Sequence, residues 1–130
     1  MDIYREQILD HYKHPRNFGS LEKPDVKMEE GNVACGDRIV MEISLEASKP
    51  RSLEAIKDIR FSGVGCAISQ ASESMLTEKV KYMALEDVMK LTPKDVMDML
   101  GTELTPSRIK CALLSLDVLQ KAVLSLQNKK

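Results

Sequence analysis

The 130-residue sequence contains no Trp, and its aromatic residues are three Tyr and two Phe, so it has few flat rings on which nucleobases could stack. Positive charge is not in excess either: 19 Lys and Arg face 20 Asp and Glu, a net charge of −1. Nucleic-acid binding draws on cations against phosphate and on stacking platforms, so no nucleic-acid partner is expected. No run approaches the roughly 18 apolar residues of a membrane-spanning helix, which removes the membrane as a partner. The opening residues, Met1-Asp2-Ile3-Tyr4-Arg5-Glu6, are acidic and polar. A signal peptide is basic and then apolar, and a transit peptide is rich in Arg and Ser and poor in acids, so the chain reads as cytoplasmic. Cysteine is scarce as well, at three. Three thiols cannot pair off into disulfides, and a reducing compartment leaves thiols to packing, metal binding or reactivity. Three is also one short of an all-cysteine tetrahedral site.

What is present is a balanced composition, 43% hydrophobic and 30% charged, that of one globular domain spanning residues 1–130. Asp2 can cap a first helix carrying Ile3, Tyr4, Ile8, Leu9 and Tyr12, which ends before Pro15. Pro15 to Pro24 reads as loop. Val26 and Met28 form a short strand stopped by Gly31-Asn32. From Arg38 to Glu46, Ile39, Met41, Ile43 and Leu45 point one way while Arg38, Glu42, Ser44 and Glu46 point the other, with Val40 as the exception. That alternation is a half-buried strand. Lys49-Pro50-Arg51-Ser52 turns the chain, and Ile56 to Ser62 returns as an antiparallel partner. After Gly63-Val64-Gly65 the period becomes helical through Ile68, Ala71, Met75, Leu76, Val80 and Met83. A short helix follows near Glu86 to Lys90. Thr92-Pro93 and Thr105-Pro106 each open a further helix, the first closed by Gly101. The last carries Ile109, Leu113, Leu116, Val123 and Leu126 toward the core. The order predicts an α+β domain with helices packed on one face of a small sheet.

The cysteines form no Cys-x-x-Cys knuckle, so their local settings carry the argument. Cys35-Gly36-Asp37 precedes the best strand. In extended chain, residues two apart project to one side about 6.6 Å apart. A thiolate and a carboxylate so placed can reach one metal ion, and Gly36 leaves room for it. Cys66 lies at a strand-to-helix junction, where helix amides and the helix dipole favour a thiolate. Gly63 and Gly65 remove side chains that would crowd an ion, but no dinucleotide or phosphate-loop motif surrounds them. Cys111 falls in the first turns of the last helix beside Lys110. It is two positions from Leu113, about 200° round the helix, and so is expected to lean away from the core stripe. His11 and His14 are three apart on the first helix. They are candidate ligands, though a solvated helix end is the commoner role for such a pair. The eight Met fall largely on helix core faces as gap fillers.

Asp10-His11-Tyr12 with Pro15-Arg16-Asn17, Cys35-Gly36-Asp37-Arg38, Gly63-x-Gly65-Cys66-Ala67-Ile68-Ser69 and Arg108-Ile109-Lys110-Cys111 follow one another in that order. From about Ile3 to Leu126 the chain resembles the U-type iron–sulfur cluster assembly scaffolds, the IscU/SufU family and the N-terminal domain of NifU. The resemblance implies a three-stranded antiparallel sheet with helices on one face. Cys35, Cys66, Cys111 and Asp37 would meet at one exposed end, as ligands of a labile [2Fe–2S] cluster. The implied role is a scaffold and sulfur acceptor rather than an enzyme. Its partners would be a cysteine desulfurase that supplies persulfide sulfur, iron and electron donors, and acceptor apo iron–sulfur proteins. Cys111 is the acceptor in the IscU pattern and Cys35 in the SufU pattern, and the sequence leaves both open. Arg38 and Lys110 would moderate the negative charge of the loaded site. Lys110 stands where IscU has His, as in the zinc-binding SufU branch, which makes Zn²⁺ an alternative occupant and a zinc-dependent sulfurtransferase the alternative function. The interval from Cys66 to Cys111 is nevertheless too short for SufU's extra segment. Leu104-Thr105-Pro106-Ser107-Arg108 replaces the Leu-Pro-Pro-Val-Lys of IscU, leaving an HscA-type chaperone without its docking motif.

Overall fold

The computed structural model describes residues 3–32, 36–46, 54–101 and 103–128. Helix α1 (Ile3–Lys13) leads into strands β1 (Val26–Asn32), β2 (Asp37–Leu45) and β3 (Ile56–Val64). Four helices follow: α2 (Ala67–Val80), α3 (Leu85–Met89), α4 (Pro93–Leu100) and α5 (Pro106–Gln127). The strands form one antiparallel meander, β1-β2-β3. Helix α5 packs on β1 and β2, and α2 packs on β3, with α1 and α5 against its other sides. The expected Asp2 cap and the Lys49-Pro50-Arg51-Ser52 turn lie outside the described residues. Among the described residues no helix is long and apolar enough to cross a membrane.

The alternation along β2 sets the core. Ile39, Met41 and Ile43 are completely buried, and across the register Met41 meets Phe61 and Ile43 meets Ile59 of β3. Each such side chain removed from water contributes about 1.5–3 kcal/mol. The outward face is less exposed than alternation suggests, because Val40 and Glu42 are also buried. Glu42 stands opposite Lys27 on one side and Arg60 on the other in the strand register.

The strands run further than their apolar residues indicate. β1 continues through Gly31 and Asn32, which pair with Arg38 and Asp37, and β3 continues through Gly63 and Val64. Gly63 makes this possible. It has φ +124°, and a Cβ there would sit 2.0 Å from the carbonyl oxygen of Arg38. Only glycine lets the end of β3 lie so close to the start of β2.

Helix ends follow their local chemistry. Thr92 and Asp95 form a reciprocal capping box, and Gly101 closes α4 in the left-handed conformation at φ 69°. The Pro15–Asn17 segment is tied down by side chains. The Arg16 amide donates to Ser74 Oγ at 2.8 Å, Asn17 Nδ2 donates to Thr77 Oγ1 at 3.3 Å, and Arg60 Nη1 donates to Asn17 Oδ1 at 2.9 Å. This loop therefore bridges α2 and β3.

Gly63→Ala is expected to lower the unfolding free energy by at least about 2 kcal/mol, from left-handed strain and the clash with Arg38. Urea denaturation measures it, and an unchanged midpoint would contradict the close approach.

Candidate metal centre

Three elements bring the chemistry together. Asp37 is the first residue of β2, Cys66 is the N-cap of α2, and Cys111 lies in the second turn of α5. A carboxylate oxygen of Asp37 and the two sulfurs all lie within 4.8 Å of one another. The Cys66 amide donates to Asp37 Oδ1 at 3.1 Å, and the Ser69 amide donates to Cys66 Sγ at 3.4 Å. The Cys66 sulfur thus sits at the N-terminal, positive end of α2. Cys35 lies outside the described residues.

The sulfur of Cys111 is not turned outward. Cys111 is 4% exposed and lies one turn before the buried Ser115, on a stripe that also includes Ala112, Leu116 and Leu119. Leu113, which spacing alone puts in the core, is only partly buried. The buried arc of α5 is broad because the helix packs on both the sheet and α2, so a single narrow stripe misplaces its edge. The expected exposed end is correspondingly more enclosed: Asp37 is 3% exposed, and only Cys66 of the three is partly open.

The other candidates stand elsewhere. His11 is buried between α1 and α2, with Nδ1 2.8 Å from Ser74 Oγ. Burial, and then the nearby Arg16, hold its pKa below the ordinary value. His14 is exposed. Neither joins the Asp37–Cys66–Cys111 group. Arg38 is engaged by Glu29 on the sheet surface, which raises the Arg38 pKa and lowers that of Glu29. Lys110 is exposed.

Two residues beside the centre are absent from the sequence-derived ligand set: Ser69, the last residue of the Gly63–Ser69 motif, and Glu73, which belongs to no motif. Glu73 is 3% exposed and Ser69 fully buried on α2. Burial first, then Asp37 and Cys66, push the Glu73 carboxyl up to about 9. Asp37 Oδ2 and Ser69 Oγ are buried without a hydrogen-bond partner. A Cβ on Gly65 would meet Ser69 Oγ at 2.9 Å and Asp37 Oδ1 at 3.0 Å, so this glycine lets the oxygen-bearing side chains close in. The one signal in the sequence is a charged residue between Ala71 and Met75, on a helix whose apolar stripe runs through both. Two thiols, a carboxylate with one oxygen left over, and small residues around them make a donor set suited to a soft or borderline metal.

The NifU-like N-terminal domain family matches residues 3–130. The chain belongs to that family. This NifU-like domain is 38% identical over 120 residues to the iron–sulfur cluster assembly scaffold protein IscU of Aquifex aeolicus, covering 92% of the chain and 73% of that protein. It is 33% identical over 138 aligned residues to the zinc-dependent sulfurtransferase SufU of Bacillus subtilis, covering 93% and 89%. Its fold matches the crystal structure of a nitrogen-fixing NifU-like protein (N-terminal) from Brucella abortus with a TM-score of 0.77, over 98% of this chain and 96% of that one, at 16% identity.

The buried acid gives a pH prediction for the metal-stripped NifU-like domain. Between the ordinary Glu73 value of 4.5 and the folded value of about 9, the folded chain holds a proton that the unfolded chain has lost. Stability therefore falls as pH rises through that window. The depressed His11 pKa acts on the acid side instead, where stability is lost as pH falls. Urea midpoints from pH 7 to 9 should decline for the parent and decline much less for Glu73→Gln. Parallel slopes would contradict the burial of an uncompensated Glu73.

Proposed function

We propose that this chain is an iron–sulfur cluster assembly scaffold, with Cys35, Asp37, Cys66 and Cys111 as the ligands of a labile [2Fe–2S] cluster that is its cargo. The observation that carries the reading is the Asp37–Cys66–Cys111 group, its donor atoms within 4.8 Å of one another, in a chain of the same family as IscU.

Sulfur arrives as the outer atom of a cysteine persulfide on a desulfurase. A thiolate of Cys35 or Cys111 attacks that atom, one S–S bond forms, the donor's S–S bond breaks, and the donor cysteine leaves as thiolate. No net oxidation occurs in this step. Each transferred sulfur must then gain two electrons to become sulfide. Two ferrous ions going to ferric provide half of the electrons that two sulfides need, so an electron donor supplies the other half. Cys66 is poised as a ligand by the α2 amides, and Asp37 is held by the Cys66 amide. A carboxylate is a harder donor than a fourth thiolate and grips a sulfur-rich cluster less firmly. This suits a site that passes its cargo to acceptor apo iron–sulfur proteins.

A second reading, a zinc-dependent sulfurtransferase, is favoured by the 33% identity to SufU over 89% of that protein and by Lys110 before Cys111. Zn²⁺ would be held by the same four residues and would keep the thiols deprotonated.

Anaerobic reconstitution with ferrous iron, cysteine, a desulfurase and a reductant separates the two. The scaffold should gain iron and acid-labile sulfide in equal amounts and yield them to an apo-ferredoxin. Zinc that iron never displaces, with faster desulfurase turnover, would favour the sulfurtransferase. Asp37→Ala should slow cluster release to apo-ferredoxin about tenfold or more while the far-ultraviolet spectrum is kept. Unchanged release kinetics would remove Asp37 from the role given to it.

A further inference from the structure

The amide of Cys66 has two oxygen acceptors beside it and is bonded to one of them. Cys66 caps α2, and its sulfur accepts from the amide of Ser69, three residues on, at 3.4 Å. Ser69 thus holds the position from which a side chain reaches back to the cap's own amide in a reciprocal capping box. Thr92 and Asp95 complete such a box on α4. At α2 only half of it is made. The Cys66 amide donates to Asp37 Oδ1 at 3.1 Å instead. Ser69 Oγ, fully buried, is left without a hydrogen-bond partner among the described residues, and so is Asp37 Oδ2. The displaced hydroxyl is still at hand. Ser69 Oγ and Asp37 Oδ1 lie 2.9 and 3.0 Å from the point that a Cβ of Gly65 would occupy, so both stand against the residue just before the shared amide. Gln70 Nε2 donates to the Gly65 carbonyl at 3.1 Å. It holds the Gly65–Cys66 peptide from the other side and fixes where its N–H points.

A buried hydroxyl with no partner is destabilising, and the motion that relieves it is an exchange in which one acceptor leaves the amide as the other arrives. We propose that Ser69 is a positioning residue of the centre, which accepts the Cys66 amide when the Asp37 carboxylate turns to the metal ion. Asp37 Oδ2 is the oxygen with coordination capacity free, and turning the carboxylate toward an ion draws Oδ1 off the amide. Ser69 Oγ then closes the capping box. The start of α2 and the Cys66 sulfur keep their place, and the amide is not left bare in the interior. When the ion leaves, the exchange runs backwards. Asp37 therefore moves between ion and amide with no net loss of hydrogen bonds, which suits a ligand meant to let go. This inference rests on the reading of Asp37 as a ligand, given under the proposed function.

The test compares four full-length proteins: parent, Ser69→Ala, Asp37→Ala and the double variant. In the metal-stripped proteins, hydrogen exchange of the Cys66 amide is followed by NMR. Either acceptor alone should protect it, so both single variants stay close to the parent and the double variant exchanges at least about tenfold faster. An Asp37→Ala protein that exchanges as fast as the double variant would overturn the proposal, because Ser69 then fails to take the amide. Zn²⁺ affinity is measured by chelator competition. Ser69→Ala should weaken it about tenfold, as loss of a group supporting a metal ligand does, since the ion must then draw Asp37 off an amide that has no second acceptor. The urea midpoint of metal-stripped Ser69→Ala should be no lower than the parent's, because the variant removes a buried hydroxyl that has no partner. Unchanged Zn²⁺ affinity, or a loss matched by a lower urea midpoint, would overturn the positioning role. Asp37→Ala with unchanged Zn²⁺ affinity would instead overturn the ligand reading on which the inference rests, a separate outcome.

Discussion

The hydrogen bond from the Cys66 amide to Asp37 Oδ1, 3.1 Å long, is the contact on which the centre depends. It joins the first residue of β2 to the N-cap of α2, and so fixes a strand end against a helix start. One carboxylate oxygen is used up in positioning. The other, Oδ2, is buried with no partner, and it is the atom with coordination capacity left. A single side chain thus both locates a thiol and remains available as an oxygen donor.

The glycines around this contact are its steric condition. Gly63 lets the end of β3 reach the start of β2, and Gly65 leaves space for Ser69 Oγ and Asp37. The Ser69 amide, at the start of α2, donates to the Cys66 sulfur. The donor atoms of Asp37, Cys66 and Cys111 gather within 4.8 Å of one another. Arg38 is engaged by Glu29 on the sheet surface. In the proposed scaffold Asp37, a harder donor than a thiolate, would favour release of the cargo.

Much of this is legible in the sequence, and the reasons for the rest are physical. The period-two pattern in β2 and the threefold and fourfold spacing in α2 determine their own periods, so the meander and the helices are readable. Asp37, after Gly36, and Gly65-Cys66 mark the Asp37–Cys66–Cys111 group because small residues beside the donors leave room for an ion to reach them. Three things are not readable. Asp37 and Cys66 are 29 residues apart, and no local pattern encodes a hydrogen bond across that separation. Spacing puts Cys111 on the wrong side of α5, since a helix packed on both the sheet and α2 buries more than one stripe. Glu73 gives no sign of its place because a charged helical residue defaults to solvent, and its burial depends on the tertiary packing of α2. Glu42 is a further case: alternation puts it on the outward face of β2, yet it is buried, with Lys27 and Arg60 opposite it in a register that no local pattern discloses.

The central claim is that one carboxylate and three thiolates make up this centre. X-ray absorption at the zinc edge of the zinc-loaded protein tests it most directly. Three sulfur scatterers at about 2.3 Å and one oxygen at about 2.0–2.2 Å are expected, with the oxygen replaced or lost in Asp37→Ala. A first shell of nitrogen and oxygen alone, or one unchanged by Asp37→Ala, would contradict it.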